Sequence, residues 1–230
     1  MWAIFYKNLA FLCSMLGNYS PFIFLFRQFR NRYPHYAIAD ADVCIEAYPR
    51  SGNTFLVALV QMWNPKLKIT HHSHLASNIK YSLKRGIPVA VLIRPPLDAV
   101  ASAMVWDGKI RAWVGLLGYI SFYSSLRLLY SKVTLLDFVM FTSDPVGALR
   151  EINANTADLL EVTEYNEREE AAVRAYLAKH DERNKRDDNS SSLPNKARAE
   201  QTTASEQKVA GSILNPKALT LYRSLTSAPP

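Results

Sequence analysis

Residues 43–55, VCIEAYPRSGNTF, decide the fold. Residues 43–48 form an apolar run of the length of a buried strand, a turn at 49–53 follows, and 54–63 continue as an apolar helix. A strand that ends in a glycine-containing turn and runs directly into a helix points backbone N–H groups and the positive end of the helix dipole at one place. The stretch therefore predicts a phosphate-binding loop, with an ordinary capped helix start as the alternative.

The rest of the chain alternates strand and helix patterns. Strands are predicted at 66–70, 89–93 and 133–141, and helices at 97–106, 110–130, 145–160, 167–179 and 214–225. This alternation indicates an α/β fold with a mainly parallel central sheet. Residues 181–204 are polar and include a low-complexity Asp-Asn-Ser run, so we expect a mobile loop or lid there.

The charge of the chain is unevenly distributed. Its 230 residues carry 27 basic and 20 acidic side chains, a net charge of +7, and residues 1–150 hold 16 of the basic and 7 of the acidic ones. The basic side chains are scattered singly, without a run of five or a nucleic-acid-binding motif. We therefore expect a small anionic ligand rather than nucleic acid. The two cysteines, Cys13 and Cys44, suit a reducing, cytoplasmic location.

The N-terminal segment, residues 1–36, is strongly apolar but is interrupted by polar residues between Asn18 and Pro21. A membrane-spanning helix needs about 20 continuous apolar residues. We expect a helix packed on the fold, with an in-plane membrane-docking helix and a true anchor as alternatives. The basic residues Arg27, Arg30 and Arg32 favour peripheral membrane contact. Residues 37–230 are then a single α/β domain.

A second informative stretch is 94–102, RPPLDAVAS. Arg94 comes at the carboxyl end of a predicted central strand, where ligands bind in open α/β sheets. Ser102 falls in the following helix, at a position that can face the same ligand. The Gly-x-x-x-x-Gly-Lys-Ser/Thr loop of nucleotide triphosphatases is absent, and Gly52 is the single glycine between Asn18 and Gly86.

The two stretches together resemble the sulfotransferases that use 3′-phosphoadenosine-5′-phosphosulfate (PAPS). The first is similar to the family's loop Tyr-Pro-Lys-Ser-Gly-Thr-Thr-Trp, and the second to its element in which a Ser follows an Arg by eight residues. The resemblance covers residues 42–145 and implies a P-loop nucleotide-hydrolase-like three-layer sandwich. It assigns the 5′-phosphosulfate to Arg50, Ser51, Gly52, Asn53 and Thr54, the adenine to Phe55, and the 3′-phosphate to Arg94 and Ser102.

Three histidines, His71, His72 and His74, follow the second predicted strand. A metal site is one reading, but no Cys, Asp or Glu lies nearby to complete it, so no metal is expected. The family places its catalytic base in Lys-Thr-His-Leu-Pro, and residues 72–76, HSHLA, match that frame. The resemblance makes His74 the base, while His72 stands where the family has Lys and remains an alternative base.

The chain departs from the family's pattern near its C-terminus. The family's Arg-Lys-Gly segment over the 3′-phosphate is absent, and Arg198 is the substitute we expect. The acceptor is open: the aromatic stripe of Trp113, Tyr119, Phe122 and Tyr123 is either plain core or the wall of an apolar pocket. A small molecule, a glycan or a lipid-linked hydroxyl or amine all remain. The alternatives to a sulfotransferase are an ATP-dependent kinase-like enzyme and a non-catalytic membrane-associated module.

Overall fold

Four parallel strands form the centre of the fold, in the order β2-β1-β3-β4. The computed structural model describes residues 2–20, 39–187, 191, 193 and 196–227. The strands are β1 (Val43–Ala47), β2 (Ile69–His71), β3 (Val89–Ile93) and β4 (Thr134–Asp137). In the ladder Cys44 is opposite Val89, and Ala90 is opposite Thr134. Parallel neighbours are joined by helical crossovers, as the alternating sequence pattern requires.

Ten helices are described. They are α1 (Trp2–Met15), α2 (Asn53–Trp63), α3 (Ala76–Lys84), α4 (Pro96–Trp106), α5 (Ala112–Ser124), α6 (Phe138–Ser143), α7 (Pro145–Ala154), α8 (Glu167–Arg183), α9 (Lys196–Ala210) and α10 (Asn215–Thr226).

The sheet is buried on both faces, which gives the molecule three layers. On one face Val43, Ile45 and Ala47 of β1 pack with apolar side chains of α2, α7 and α8. Because side chains alternate along a strand, Cys44 faces the other layer, which α3, α4, α5, α9 and α10 form. All five residues of β1 and all five of β3 are buried, as expected for central parallel strands.

The predicted α/β class with a parallel central sheet and three layers is confirmed. Several predicted boundaries are wrong. The helices predicted at 110–130 and 145–160 end at Ser124 and Ala154, and the strand predicted at 66–70 spans Ile69–His71. The strand predicted at 133–141 ends at Asp137, because the Asp137 carboxylate accepts hydrogen bonds from the N–H groups of Val139 and Met140 and starts α6. The loop predicted at 181–204 is shorter: α8 continues to Arg183, and α9 begins at Lys196 in a run of good helix formers.

Helix α1 packs across α5. Asn8 is buried and bonds the backbone before α5, accepting from the N–H of Arg111 at 3.0 Å and donating to the carbonyl of Lys109 at 2.7 Å. Phe11 lies so close to Gly118 that a Cβ there would be 2.6 Å from its ring. Within the part of the chain that is described, no helix has the length and apolar character needed to cross a membrane.

Candidate functional site

The site is placed by the connectivity of the sheet. Strand β1 is connected through α2 to β2 on one side, while β3, the next strand in sequence, lies on its other side. This reversal of direction opens a crevice at the carboxyl ends of β1 and β3, the usual ligand position in open α/β sheets. The turn after β1 carries Arg50, and Arg94 directly follows β3. The structure therefore brings together the two stretches that the sequence singled out.

The turn after β1 has an alternating backbone. Arg50 and Gly52 have φ angles of 66° and 94°, and Ser51 between them is not in that region. Alternation of right- and left-handed residues forms a concave nest of N–H groups that suits an anion. Gly52 is required for a second reason: a Cβ at this position would lie 2.7 Å from the ring of Phe138.

The first turn of α2 holds an unsatisfied polar group. Asn53 is 4% exposed, and neither its amide nitrogen nor its amide oxygen has a hydrogen-bond partner among the described residues. Burying an amide without a partner costs about 1–3 kcal/mol, so such groups concentrate where a ligand completes them. Ser51, fully buried, donates its N–H to the carbonyl of Tyr48 at 3.2 Å.

Arg50, Arg94 and Ser102 meet in the crevice. The Nε of Arg50 donates to the Ser102 hydroxyl at 3.2 Å, and an Nη of Arg94 donates to the carbonyl of Arg50 at 3.0 Å. The Arg94 guanidinium also lies over the ring of Phe138, 4.5 Å from its centroid. Two guanidinium groups that precede the N-terminal ends of α2 and α4, together with a hydroxyl from within α4, suit a ligand with more than one phosphate.

Phe55, on the same turn of α2, packs on Phe141 with ring centroids 5.1 Å apart and is half-buried. One side of the Phe55 ring is therefore covered by the protein. The predicted contact with an adenine remains a prediction.

Tyrosines of α5 hold the strand end beneath the crevice. Tyr119 donates its hydroxyl to the carbonyl of Arg94 and Tyr123 to that of Leu92, both at 2.8 Å. Burial raises the pKa of both phenols, so they remain protonated donors at physiological pH. Tyr119, Tyr123 and Phe122 are core residues, whereas Trp113 of the same predicted stripe is exposed.

The histidines lie against the turn after β1. The Thr54 hydroxyl is 3.0 Å from Nε2 of His72, and the Nδ1 atoms of His71 and His72 are in close contact. Burial, and then the neighbouring His71, His74, Arg186 and His180, lower the pKa of His72 well below its usual range. His72 is therefore neutral at pH 7, with both ring nitrogens engaged by the protein.

His74 is held in a different way. Its Nδ1 is 2.8 Å from the carbonyl of Ala47. Since a carbonyl can only accept, Nδ1 carries the proton, and the lone pair of the neutral ring is on Nε2. His72 and His74 both have positive φ angles, 60° and 53°, and their rings are 5.7 Å apart.

A buried carboxylate fixes the histidine turn. Glu46 of β1 is fully buried and accepts hydrogen bonds from the N–H groups of Ser73 at 2.9 Å and His74 at 3.0 Å, and from the amide of Asn78 at 2.8 Å. Burial raises the pKa of Glu46 to about 7, against the opposing effect of these hydrogen bonds. Glu46 thus joins the strand that leads into the phosphate-binding turn to the turn that carries His74.

A C-terminal segment covers part of the crevice. An Nη of Arg50 donates to the carbonyl of Ser191 at 3.0 Å, and the Ser191 hydroxyl donates to Asp181 at 2.9 Å. Arg186 pairs with the same carboxylate at 3.2 Å. Arg198 lies in the first turn of α9, and its side chain is outside the described residues.

Sequence reasoning missed Glu46, Phe138 and Arg186. For Glu46 the sequence did hold a signal, because an acidic residue lies within the apolar run VCIEA. A carboxyl group in a buried strand needs hydrogen-bond partners, so its presence indicates a specific role. Phe138 carries no such mark, because its contacts with Gly52 and Arg94 join elements far apart in sequence. Arg186 is one of several basic residues in a polar stretch and does not stand out there. Among the described residues no three His, Cys, Asp or Glu side chains are arranged so that they could hold a metal ion.

The chain was compared with protein-family models and with curated proteins. No protein-family model matches the chain, and no curated protein matches it.

Proposed function

We propose that the protein transfers a sulfuryl group from PAPS to a hydroxyl or amine of an acceptor. The observation that carries the proposal is the meeting of two stretches in one crevice, with Arg50 3.2 Å from Ser102 and Arg94 3.0 Å from the Arg50 carbonyl. One anion-binding turn fits many nucleotides. A second arginine and serine from the neighbouring strand and helix fit a nucleotide that carries a separate 3′-phosphate.

Each of the two phosphate-binding parts binds a different group of the ligand. The nest around Ser51 and Gly52, with Asn53 and Thr54 on the first turn of α2, receives the 5′-phosphosulfate, and the ligand supplies partners for the Asn53 amide. Arg94 and Ser102 receive the 3′-phosphate. This second contact separates PAPS from ATP, which has no phosphate at that position.

The reaction needs positioning and charge stabilisation. The acceptor oxygen attacks sulfur, the new O–S bond forms as the bond from sulfur to the phosphate oxygen breaks, and adenosine 3′,5′-bisphosphate leaves. Negative charge grows on the former bridging oxygen, and Arg50 with the N–H groups of the nest stabilises it. The acceptor proton passes to a histidine.

His74 fits the role of base better than His72. The Nδ1–H of His74 is directed to Ala47, which leaves Nε2 as the acceptor of a proton. His72 is engaged by Thr54 and His71 and has a lowered pKa, so it is a weaker base and belongs to the binding turn. Sulfuryl transfer therefore uses His74 as base and Arg50 for the leaving group.

Thermal unfolding with a matched pair of nucleotides tests the proposal. Adenosine 3′,5′-bisphosphate and adenosine 5′-phosphate differ by the 3′-phosphate alone. At a concentration well above Kd we expect the bisphosphate to raise Tm by about 5 °C or more, and the monophosphate to raise it much less. Arg94→Ala should remove the difference between the two ligands.

Arg85→Ala is the matched control, because Arg85 stacks on Tyr81, 4.2 Å from its centroid and away from the crevice. It should keep the full bisphosphate shift. Stabilisation by Mg-ATP but not by the bisphosphate would overturn the proposal in favour of a kinase-like enzyme. Release of adenosine 3′,5′-bisphosphate from PAPS across a panel of glycan, phenolic and long-chain alcohol acceptors then identifies the acceptor class.

A further inference from the structure

Helix α1 is apolar on two opposite faces, but only one face packs on the fold. Ile4, Asn8, Phe11 and Met15 recur at helical spacing, and this face meets α5 and the backbone that precedes it. A helix that is apolar all round is normally enclosed by protein or by lipid. Half of α1 has no such cover among the described residues.

The outer face forms a continuous stripe. At 3.6 residues per turn its side chains fall within about 100° of the circumference. They are Trp2, Phe5, Tyr6, Leu9 and Leu16, with exposed fractions of 74%, 57%, 62%, 44% and 56%. We name this set the α1 stripe. Trp and Tyr are the residues that favour the boundary between lipid head groups and acyl chains.

Cations lie beside the helix at both ends. Lys109 and Arg111 are exposed next to the Asn8 contact, and Lys7 pairs with Asp107 at 3.0 Å. At the other end Lys80 lies 5.8 Å from the centroid of the Tyr19 ring, which is itself exposed. Asp107 is an acidic group in this region, and its carboxylate pairs with Lys7. Positive charge around an aromatic stripe is complementary to an anionic lipid surface.

A cleft of about 650 Å³ lies beside the inner face of α1. Ile4 of the inner face lines it together with two exposed indoles, Trp106 and Trp113, and with Arg111 and Lys208, while Asp187 contributes one carboxylate. The cleft thus repeats the composition of the stripe, with aromatic side chains beside cations. This is the composition of a surface that lies at the level of lipid head groups.

We propose that the α1 stripe docks this protein on an anionic bilayer, with α1 in the plane of the surface. The helix has 14 residues, about 21 Å, and the chain then turns into the fold, where Asn18 accepts from the N–H of Ala76 at 2.9 Å. The side-chain amide of Asn8 holds the inner face to the protein, with its nitrogen donating to Lys109 and its oxygen accepting from Arg111. The outer face is left to enter the head-group layer.

Vesicle binding of the full chain tests this surface. Wild-type protein should co-sediment with phosphatidylcholine vesicles containing about 30% phosphatidylglycerol, and more weakly with pure phosphatidylcholine. The combined variant Trp2→Ser, Phe5→Ser, Leu9→Ser should lower the partition coefficient by more than about tenfold. Its substitutions are at exposed positions, so far-UV circular dichroism and Tm should remain those of the wild type. Ile213→Ser is the matched control, since Ile213 is 92% exposed outside the stripe.

A label on the wild-type chain gives a second readout. Cys13 is exposed on the outer side of α1, whereas Cys44 is buried, so an environment-sensitive maleimide reacts at Cys13. Its fluorescence should rise and shift to the blue on addition of the anionic vesicles. Equal sedimentation of the triple variant and the wild type would overturn the proposal. So would a stripe-dependent dimer in sedimentation velocity without vesicle binding, since the stripe would then be an interface between two copies.

Discussion

Three residues of the two turns at the crevice have a strained backbone. Arg50, His72 and His74 are non-glycine residues with positive φ angles; the other three among the described residues, Ala157, Asp158 and Lys185, lie outside these turns. Such conformations cost about 1–3 kcal/mol each and persist where surrounding contacts fix them. Here the contacts are visible: Arg94 bonds the Arg50 carbonyl, and Glu46 bonds the N–H of His74. The strain thus falls on the residues that the proposed chemistry uses.

Gly52→Ala should therefore be damaging in two ways. The new Cβ would be at φ 94° and 2.7 Å from the Phe138 ring, so we expect a loss of about 2–4 kcal/mol in the free energy of unfolding, measured in urea. The rise in Tm caused by adenosine 3′,5′-bisphosphate should also be lost, because the N–H groups of the turn would no longer point at one place.

Two glycines separate the causes. Gly86 also has a positive φ angle, 73°, but no atom lies within 4 Å of the position of an added Cβ. Gly86→Ala should therefore show the cost of the backbone strain alone. Gly108→Ala has open space and an ordinary φ, and should be nearly neutral. If Gly52→Ala were no worse than Gly86→Ala, the close approach of Phe138 would not matter.

Glu46 makes stability depend on pH. Its pKa is about 7 in the folded protein and near 4.5 in an unfolded chain, so the folded state holds the proton more tightly. As pH rises from about 4.5 to 7, the wild type should lose stability relative to Glu46→Gln, which does not titrate. The difference should change by about 3 kcal/mol over that range and level off above it.

Urea unfolding of both proteins at pH 5, 6, 7 and 8 measures this difference. Glu151→Gln serves as the control at an exposed glutamate of α7, for which a much smaller change is expected. Parallel pH curves for the wild type and Glu46→Gln would contradict a carboxyl group with a raised pKa at this position.

At the scale of elements, Asp137 links the C-terminus of the chain to the crevice. Its carboxylate caps α6 through the N–H of Val139 at 2.8 Å and accepts the hydroxyl of Tyr222 in α10 at 2.6 Å. Phe138, the first residue of α6, is thereby held over Gly52 and beside Arg94. A helix near the chain end thus sets the position of an aromatic ring in the site.

The sequence predicted an element correctly where residues at both of its ends mark the boundaries. The strand at 89–93 agrees with β3 at both ends, since apolar β-branched residues lie between Pro88 and Arg94. The strand predicted at 133–141 was too long, because apolar residues continue from β4 into α6. The boundary between the two elements is marked by the single capping residue Asp137.

The candidate site was likewise predictable only in part. Arg50 and Arg94 were predictable as neighbours, because both follow strands that the alternation places in one parallel sheet. The contact between Thr54 and His72, and the bonds from Glu46 to the histidine turn, depend on which strand lies beside β1. Hydropathy does not encode that order. The orphaned Asn53 amide likewise becomes visible only when burial is known.

At the scale of the whole molecule, the last two helices complete the third layer. Val209 of α9 and Ala218 of α10 are fully buried in the cluster that contains Val91 and Ile93 of the central strand β3. Helix α9 packs along α4, which carries Ser102, and α10 packs on α5. The C-terminal helices therefore cover α4 and α5, the helices that lie on the sheet face beneath the crevice.

A chain that ends at residue 187 should accordingly lose cooperative folding. Removal of α9 and α10 uncovers apolar side chains of α4 and α5, including Val100 and Phe122, in the layer that packs on the central strands. We expect a broad urea transition and strong binding of an apolar dye such as ANS, with far-UV circular dichroism partly retained. A chain that ends at residue 227 keeps both helices and should unfold as sharply as the full chain. A sharp transition in the shorter chain would mean instead that the sheet and the helices between 43 and 187 form a complete core, and that the C-terminal helices serve the crevice rather than the fold.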